Sequence, residues 1–374
     1  MTIWFIILWV VIFLLGVSFI YLGMRVPKFL NPTIFVEWSK IKYFLFGSCI
    51  TLGVIGLITL CLDFVNAVIC VLYLAMIWMI SDFIFWVLEK VFHLSFQHYY
   101  AGWLALILTV AMLIAGWYVN HHVVQTNYEL ITKKNVPNFR IAMIADVHLG
   151  TTFDAKGFAD YLDEIQQQNP DVVVVVGDYV DDSSKKDEMV KASRALGKIK
   201  TKYGVYFVLG NHDRGYYGAK YRGFSKQGLI DALASNGVRV LQDEIVLVAD
   251  SFYIIGRKDA SETKERNKHR TMIFDFVDEL DKGKYIIVLD HQPTDFKNQM
   301  TAMVDLVLSG HTHGGQLFPF NQVGKWIGAN DLVYGHEHRH KTDFIVTSGI
   351  SNWAIKFKTG TKSEFVIIDI KQGR

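Results

Sequence analysis

The sequence predicts a helical, membrane-spanning region followed by an α/β domain. Three observations carry that prediction. Residues 1–120 are nearly all apolar or aromatic, whereas residues 121–374 carry the mixed charge of an ordinary soluble domain. The first part holds four apolar runs near the ~20 residues that a spanning helix needs. From Phe139 onward, short β-branched runs alternate with segments of helical spacing, the pattern of a largely parallel sheet.

Length and charge bound the rest. The 374 residues suggest two or three domains at ~150 residues each. A net charge of +2, from 38 basic and 36 acidic residues, with no basic stripe, argues against a nucleic-acid partner. The three cysteines, Cys49, Cys61 and Cys70, all lie in the apolar part and read as small packing residues. The soluble part therefore has no disulfide, and cysteine usage leaves the compartment open.

The first apolar run, Ile3 to Met24, has no basic segment before it and no small-residue cleavage site before Arg25, so it reads as a span rather than a cleaved signal. Arg25 to Lys42 follows as a loop, with Arg25, Lys28, Lys40 and Lys42 against Glu37, and with Pro27 and Pro32 breaking helix. Tyr43–Leu62, Phe64–Leu88 and Ala101–Val119 supply three more spans. The first loop is the most basic short loop, and the loop around Lys90 is weakly basic. The positive-inside rule then puts both in the cytoplasm and everything after the fourth span outside it. A multi-pass protein of the plasma membrane with an extracytoplasmic domain is the expectation. Asp63 and Asp82 sit near span ends and read as interfacial. Residues 121–137 read as a linker, and residues 138–374 as the catalytic domain.

In that domain Arg140–Ala145, Asp171–Val176, Val205–Leu209, Tyr285–Leu289 and Val304–Leu308 read as buried strands. Shorter strands are expected at Val238–Leu241, Ile245–Val248, Phe252–Ile255, Phe344–Thr347 and Glu364–Ile370. Helical spacing appears at Phe158–Gln168, Lys185–Lys200, Lys226–Asn236 and about Thr271–Leu280. Arg257–His269 reads as a polar loop.

The five buried runs share one property. Each ends in a residue that can ligate a metal: Asp146 and His148, Asp178, Asn211, His291, and His311 with His313. Ligands in α/β sheets gather at the carboxyl ends of strands. Any single member has an ordinary reading, since Asp146 and Asp178 can cap helices and His291 can serve a turn. Together they offer mixed nitrogen and oxygen donors, too many for one tetrahedral zinc and about right for two ions sharing a carboxylate.

These residues resemble the calcineurin-like metallophosphoesterases. The blocks Asp146-Val147-His148, Gly177-Asp178-Tyr179-Val180-Asp181, Gly210-Asn211-His212-Asp213, His291 and Gly310-His311-Thr312-His313 stand in that family's order. The resemblance covers roughly residues 138–370. Gly314-Gly315-Gln316 is similar to a branch that includes membrane-associated bacterial phosphoesterases, some acting on lipid-linked diphosphates. The resemblance implies a four-layer αββα sandwich. It implies one metal on Asp146, His148, Asp178 and His313, and a second on Asp178, Asn211, His291 and His311. The ions would be Mn, Fe or Zn, and water activated between them would attack phosphorus. It also implies that His212 stabilises or protonates the leaving oxygen, with Asp181 holding its tautomer and favouring the imidazolium.

One position departs from the family's protein phosphatases. Asp182 stands where they carry a phosphate-gripping arginine, which argues against phosphoprotein substrates. Arg214 is a candidate substitute. Tyr216, Tyr217, Tyr221 and Arg222 read as a substrate rim, a lipid-facing loop or an ordinary packed loop. His336, His338 and His340 read as a solvated polar loop. The function expected is phosphoester or diphosphate hydrolysis on a phosphorylated lipid or small molecule at the bilayer. A phosphodiesterase for soluble nucleotides, or a non-enzymatic membrane receptor, is the alternative. The leaving-group histidine favours the enzyme, since a binding module has no use for one.

Overall fold

The computed structural model describes residues 3–30, 38–264 and 270–373. Pro32 and Glu37 of the first loop, and 265–269 of the polar loop, lie outside the described residues. Four long helices open the chain: α1 (Ile3–Arg25), α2 (Lys40–Cys61), α3 (Phe64–Lys90) and α4 (Tyr100–His121). All four are long and apolar enough to cross a membrane. Two compact units divide between Ala115 and Gly116, so the last turns of α4 belong to the second unit.

The first unit packs around Leu22, Val71, Ala75, Ile77 and Trp78. Asp63 caps α3 by accepting from the Asn66 N–H at 2.9 Å. Asp82 is not a lone carboxylate. It accepts from the Tyr21 and Tyr99 hydroxyls at 2.6 and 2.7 Å and pairs with Arg25 at 2.7 Å. A charge in an apolar bundle is tolerable only with such partners.

The second unit holds twelve strands among the described residues: β1 (Val123–Thr132), β2 (Phe139–Ile144), β3 (Val172–Val176), β4 (Val205–Val208), β5 (Val238–Leu241), β6 (Glu244–Val248), β7 (Phe252–Gly256), β8 (Tyr285–Leu289), β9 (Leu306–Ser309), β10 (Gly335–Arg339), β11 (Thr342–Val346) and β12 (Ser363–Gln372). They form two six-stranded mixed sheets, ordered β1-β12-β2-β3-β4-β5 and β10-β11-β9-β8-β7-β6. Helices α5 (Ala155–Gln167), α6 (Lys186–Leu196), the single turn α7 (Ala219–Arg222) and α8 (Lys226–Ala234) follow strands of the first sheet. The short α9 (Ile273–Val277), α10 (Phe296–Thr301) and α11 (Val323–Trp326) belong with the second.

The period of two along a strand builds the layers. In β3, Val173 and Val175 join Phe158, Leu162, Leu196 and Leu229 in a core beneath the helices. Val172, Val174 and Val176 face the other way and pack with Ile254, Ile287, Leu289 and Leu308 of the second sheet. A third core, with Ile286, Val288, Phe276 and Phe296, lies under α9 and α10. The result is the αββα order of layers, helix against sheet against sheet against helix.

Two expectations are corrected here. The stretch expected to be a linker, residues 121–137, contains β1, which pairs in parallel with β12 over ten residues, Val123 to Thr132. Its pattern was hard to read because an edge strand with only Val123 and Leu130 well buried shows little hydrophobic alternation. The expected polar loop around His336 is β10, antiparallel to β11. There His336 and His338 both bond the Asp343 carboxylate, at 2.7 and 2.8 Å.

Candidate metal centre

Each expected ligand lies just past the carboxyl end of a strand. The first sheet brings Asp146 and His148 after β2, Asp178 after β3 and Asn211 after β4. The second brings His291 after β8 and His311 and His313 after β9. Six of them meet in two clusters, Asp146–His148–His313 and Asp178–His291–His311, each with ligand atoms within 4.8 Å of one another. Asp178 lies between the clusters: its Oδ2 is 3.1 Å from His291 Nε2 and 3.7 Å from His148 Nε2.

The backbone is bent to achieve this. Asp146, His148, Asp178, His311 and His313 all have left-handed backbone, with φ of 54°, 38°, 53°, 71° and 49°. Non-glycine residues seldom adopt that region, and such strain concentrates at functional sites. Glycine clears the space behind the carboxylates. A Cβ on Gly210 would lie 2.2 Å from Asp178 Oδ1, and one on Gly349 (φ 75°) would lie 2.6 Å from the Asp146 Cβ.

Backbone ties hold the loops together. The buried Asp213 carboxylate accepts four N–H groups, from Gly210 at 2.7 Å, Asp178 at 3.0 Å, Tyr179 at 2.9 Å and Val180 at 3.0 Å. Asp146 accepts the His311 N–H at 3.0 Å, and Asp178 Oδ1 accepts the His212 N–H at 2.8 Å. Behind His291, the buried Asp290 accepts from Gln299 at 2.7 Å and Arg257 at 3.0 Å, and also from Arg270. The Lys358 ammonium is buried and donates to the Ser348 carbonyl at 2.7 Å, pinning the loop that carries Gly349. Burial pulls this lysine down to about 7 against the pull of Asp146 and Glu364.

The donor set fits cations. His148 Nε2, His291 Nε2, His313 Nδ1 and Asn211 Oδ1 are buried without a hydrogen-bond partner, a costly state for polar atoms unless a ligand completes them. His291 Nδ1 lies 2.8 Å from the Val176 carbonyl, which orients the ring with Nε2 turned toward Asp178. The Asn211 amide nitrogen donates to the Tyr216 hydroxyl at 2.9 Å, so its oxygen turns inward. Burial and the neighbouring Asp178 push Asp146 up to about 6, while His291 and His148 oppose the rise. Burial would also raise Asp178, but His291, His212 and His148 hold it well below the carboxylate range. Two buried carboxylates this close call for positive charge between them.

The family profile described as calcineurin-like phosphoesterase matches residues 139–315. An uncharacterized metallophosphoesterase of Bacillus subtilis is 31% identical over 53% of this chain and 72% of its own length. The chain belongs to the calcineurin-like phosphoesterase family. A metallophosphoesterase of Campylobacter jejuni is 29% identical, covering 63% of this chain and 61% of its own. The transmembrane protein with metallophosphoesterase domain of Danio rerio is 31% identical, covering 64% of this chain and 54% of its own. The chain thus spans little more than half to about three fifths of the length of these two relatives.

Several readings of this chain change with the structure. Asp181 does not bond His212. It faces His148 Nδ1 at 3.4 Å and accepts from Ser183, and burial's upward push loses to these partners, leaving it at about 2. His212 Nδ1 has no partner, and burial lowers the imidazole although Asp178 pulls the other way. The imidazolium expected there is therefore not favoured. Asp182 accepts the Tyr216 and Tyr217 N–H groups, both at 3.1 Å, so it holds the tyrosine loop. Arg214 lies over the Tyr216 ring at 5.0 Å. Arg222 is buried and donates to the Asp213 carbonyl at 2.6 Å, so it braces the site and is not part of a rim.

The sequence reading missed Asp213, Asp290, Gly349, Lys358 and Trp353, whose ring is 5.1 Å from His212. Asp213 and Asp290 had a signal, since each adjoins a site residue. The others come from a loop some forty residues past the last motif and had none. Gly210→Ala should displace the Asp178 carboxylate. Metal analysis of the purified variant should fall to less than half the wild-type content, with an unchanged far-ultraviolet circular dichroism spectrum. Wild-type metal content would contradict the cradle.

Proposed function

We propose that the chain is a membrane-anchored two-metal phosphohydrolase, cleaving a phosphoester or diphosphate bond in a substrate held at the membrane surface. The observation that carries the reaction class is the meeting of two largely buried Asp/His clusters at one carboxylate, Asp178, with His212 beside them. Asp146, His148 and His313 would hold one ion and Asn211, His291 and His311 the other, with Asp178 common to both. The mixed donors suit Mn, Fe or Zn. When bound, such a pair lowers the pKa of water and neutralises phosphate oxygens.

The chain's own residues supply orientation and a proton. Asp181 fixes the His148 ring from behind, and the Val176 carbonyl does the same for His291. The His212 ring is 5.0 Å from that of His148 and only partly buried, within reach of a leaving oxygen. Its lowered basicity keeps it mostly neutral at pH 7, and the protonated form that serves a leaving group grows as pH falls.

In nanodiscs with Mn²⁺, the full chain should hydrolyse bis-p-nitrophenyl phosphate and should turn over a lipid-borne phosphodiester or diphosphate faster. Asp178→Asn should remove most of the metal and both activities. A fully active variant would sink the two-metal reading, and a preference for the soluble diester would move the substrate class to soluble molecules. His212→Ala should retain its metals and slow turnover by roughly 10²–10⁴. The loss should be larger for alkyl leaving groups than for p-nitrophenolate. Equal losses across a leaving-group series would remove His212 from the acid's role.

The basic residues Arg25, Lys28, Lys40 and Lys42 support a cytoplasmic first loop. Four spans then support a catalytic domain outside the cytoplasm, in the plasma membrane. Protease shaving of intact cells should cut this domain. Protection in intact cells with cleavage only after lysis would reverse the orientation.

A further inference from the structure

The loop that follows the last metal-site histidine is built for a different surface from the rest of the domain. From Leu317 to Ile327 it reads Leu-Phe-Pro-Phe-Asn-Gln-Val-Gly-Lys-Trp-Ile. Phe320 is 57% exposed, Trp326 72% and Ile327 42%. The loop is nevertheless tightly tied. Phe320 N–H donates to the Leu317 carbonyl at 2.8 Å, Val323 N–H to Phe320 at 3.0 Å, and Trp326 N–H to Gln322 at 3.1 Å. Large aromatics held outward on an ordered loop mark an interaction surface.

Its position says which surface. The Phe318 N–H donates to the Thr359 hydroxyl at 3.1 Å, and the Thr359 N–H donates to the Gln316 carbonyl at 3.0 Å. Thr359 in turn packs on α4: its Cγ2 lies 2.8 Å from where a Cβ on Gly116 would stand, and the Lys358 N–H donates to the Gly116 carbonyl at 2.9 Å. The 22 residues of α4 are on the order of 33 Å long at 1.5 Å each, about the thickness of a bilayer's hydrocarbon core. Gly116 lies five residues from the carboxyl end of that helix, near one end of the apolar span. Trp117 and Tyr118, both exposed, follow it, the residue types that line such interfaces. On its other side the loop reaches the metal centre. Gln316 donates to the Trp353 carbonyl at 3.3 Å, and the Trp353 ring is 5.1 Å from His212.

We propose that Leu317–Ile327 is a membrane-seated loop, with Phe320, Trp326 and Ile327 in the interface of the bilayer that α4 crosses, so that the metal centre opens at the lipid surface. The occupant is phospholipid, because the loop is joined through Thr359 to the end of an apolar span and has the aromatic composition of that boundary. The inference rests on the spanning reading of α4 and needs no particular substrate.

The test uses the full chain in nanodiscs of phosphatidylcholine with one quarter phosphatidylglycerol, with Cys49, Cys61 and Cys70 replaced by alanine. Nitroxide labels are placed on Phe320→Cys, Trp326→Cys and, as an aqueous reference, Asp250→Cys in the exposed turn after β6. Collision with oxygen relative to a water-soluble nickel chelate should be several-fold higher at 320 and 326 than at 250. Equal ratios at all three sites would put the loop in water and overturn the proposal. Exclusion of both collision partners at 320 and 326 would mean a protein covers the loop, which also overturns it. Should the labels disturb the loop, p-benzoylphenylalanine at Phe320 keeps an aromatic ring there. On irradiation it should add the mass of a phospholipid, whereas a cross-linked second chain would count against lipid. Neither readout needs turnover, so the loop and the hydrolase reading can fail separately.

Discussion

The structure depends on keeping Asp146 and Asp178 charged where water is excluded. Both side chains are almost wholly buried, and burying a carboxylate without partners costs several kcal/mol. The chain offsets this with oriented N–H groups and imidazoles. His311 and His212 donate main-chain N–H groups to the two carboxylates, while His291 and His148 stand beside Asp178. The histidines thereby gather around shared carboxylates, and the donor atoms left over form the two clusters.

That arrangement requires loops that cannot relax. Five of the seven ligand-type residues are held in left-handed backbone, at a cost of order 1–3 kcal/mol each. The sheets provide the rigidity that holds them there. β3 is buried on both faces, and its valines lock the ends of two layers at once. At the strand ends, Asp213 gathers four N–H groups into one carboxylate, so the loops after β3 and β4 move as one body. Lys358 does comparable work for the loop behind Asp146 with an ammonium and main-chain carbonyls.

The carboxyl end of α4 and all of β1 belong to the second unit. The final turns of α4 pack against the segment that carries Phe357 to Thr359, and the Ser363 hydroxyl donates to the Asn120 carbonyl at 3.0 Å. β1 then runs straight into the sheet beside β12.

How much of this was legible in the sequence depended on range. Hydropathy alone located the four long helices, because a span needs only composition and length. Strands β2 to β9 were legible from β-branched runs, and the ligand-type residues from their place just past those runs, since residue type and strand-end position are local properties. The edge strands β1 and β10 were not, because one exposed face and few buried side chains leave no strong period. Tertiary structure alone decided the partners. Asp181 went to His148 and not to His212, Asp182 took the tyrosine loop, and Arg222 turned inward to Asp213. Each of those outcomes turns on which groups the fold brings within reach in three dimensions. Lys358 and Trp353 reach the site from a distant loop, and no local pattern records that approach. The sequence determined which groups could hold metal, and the packing of two sheets decided how each is held.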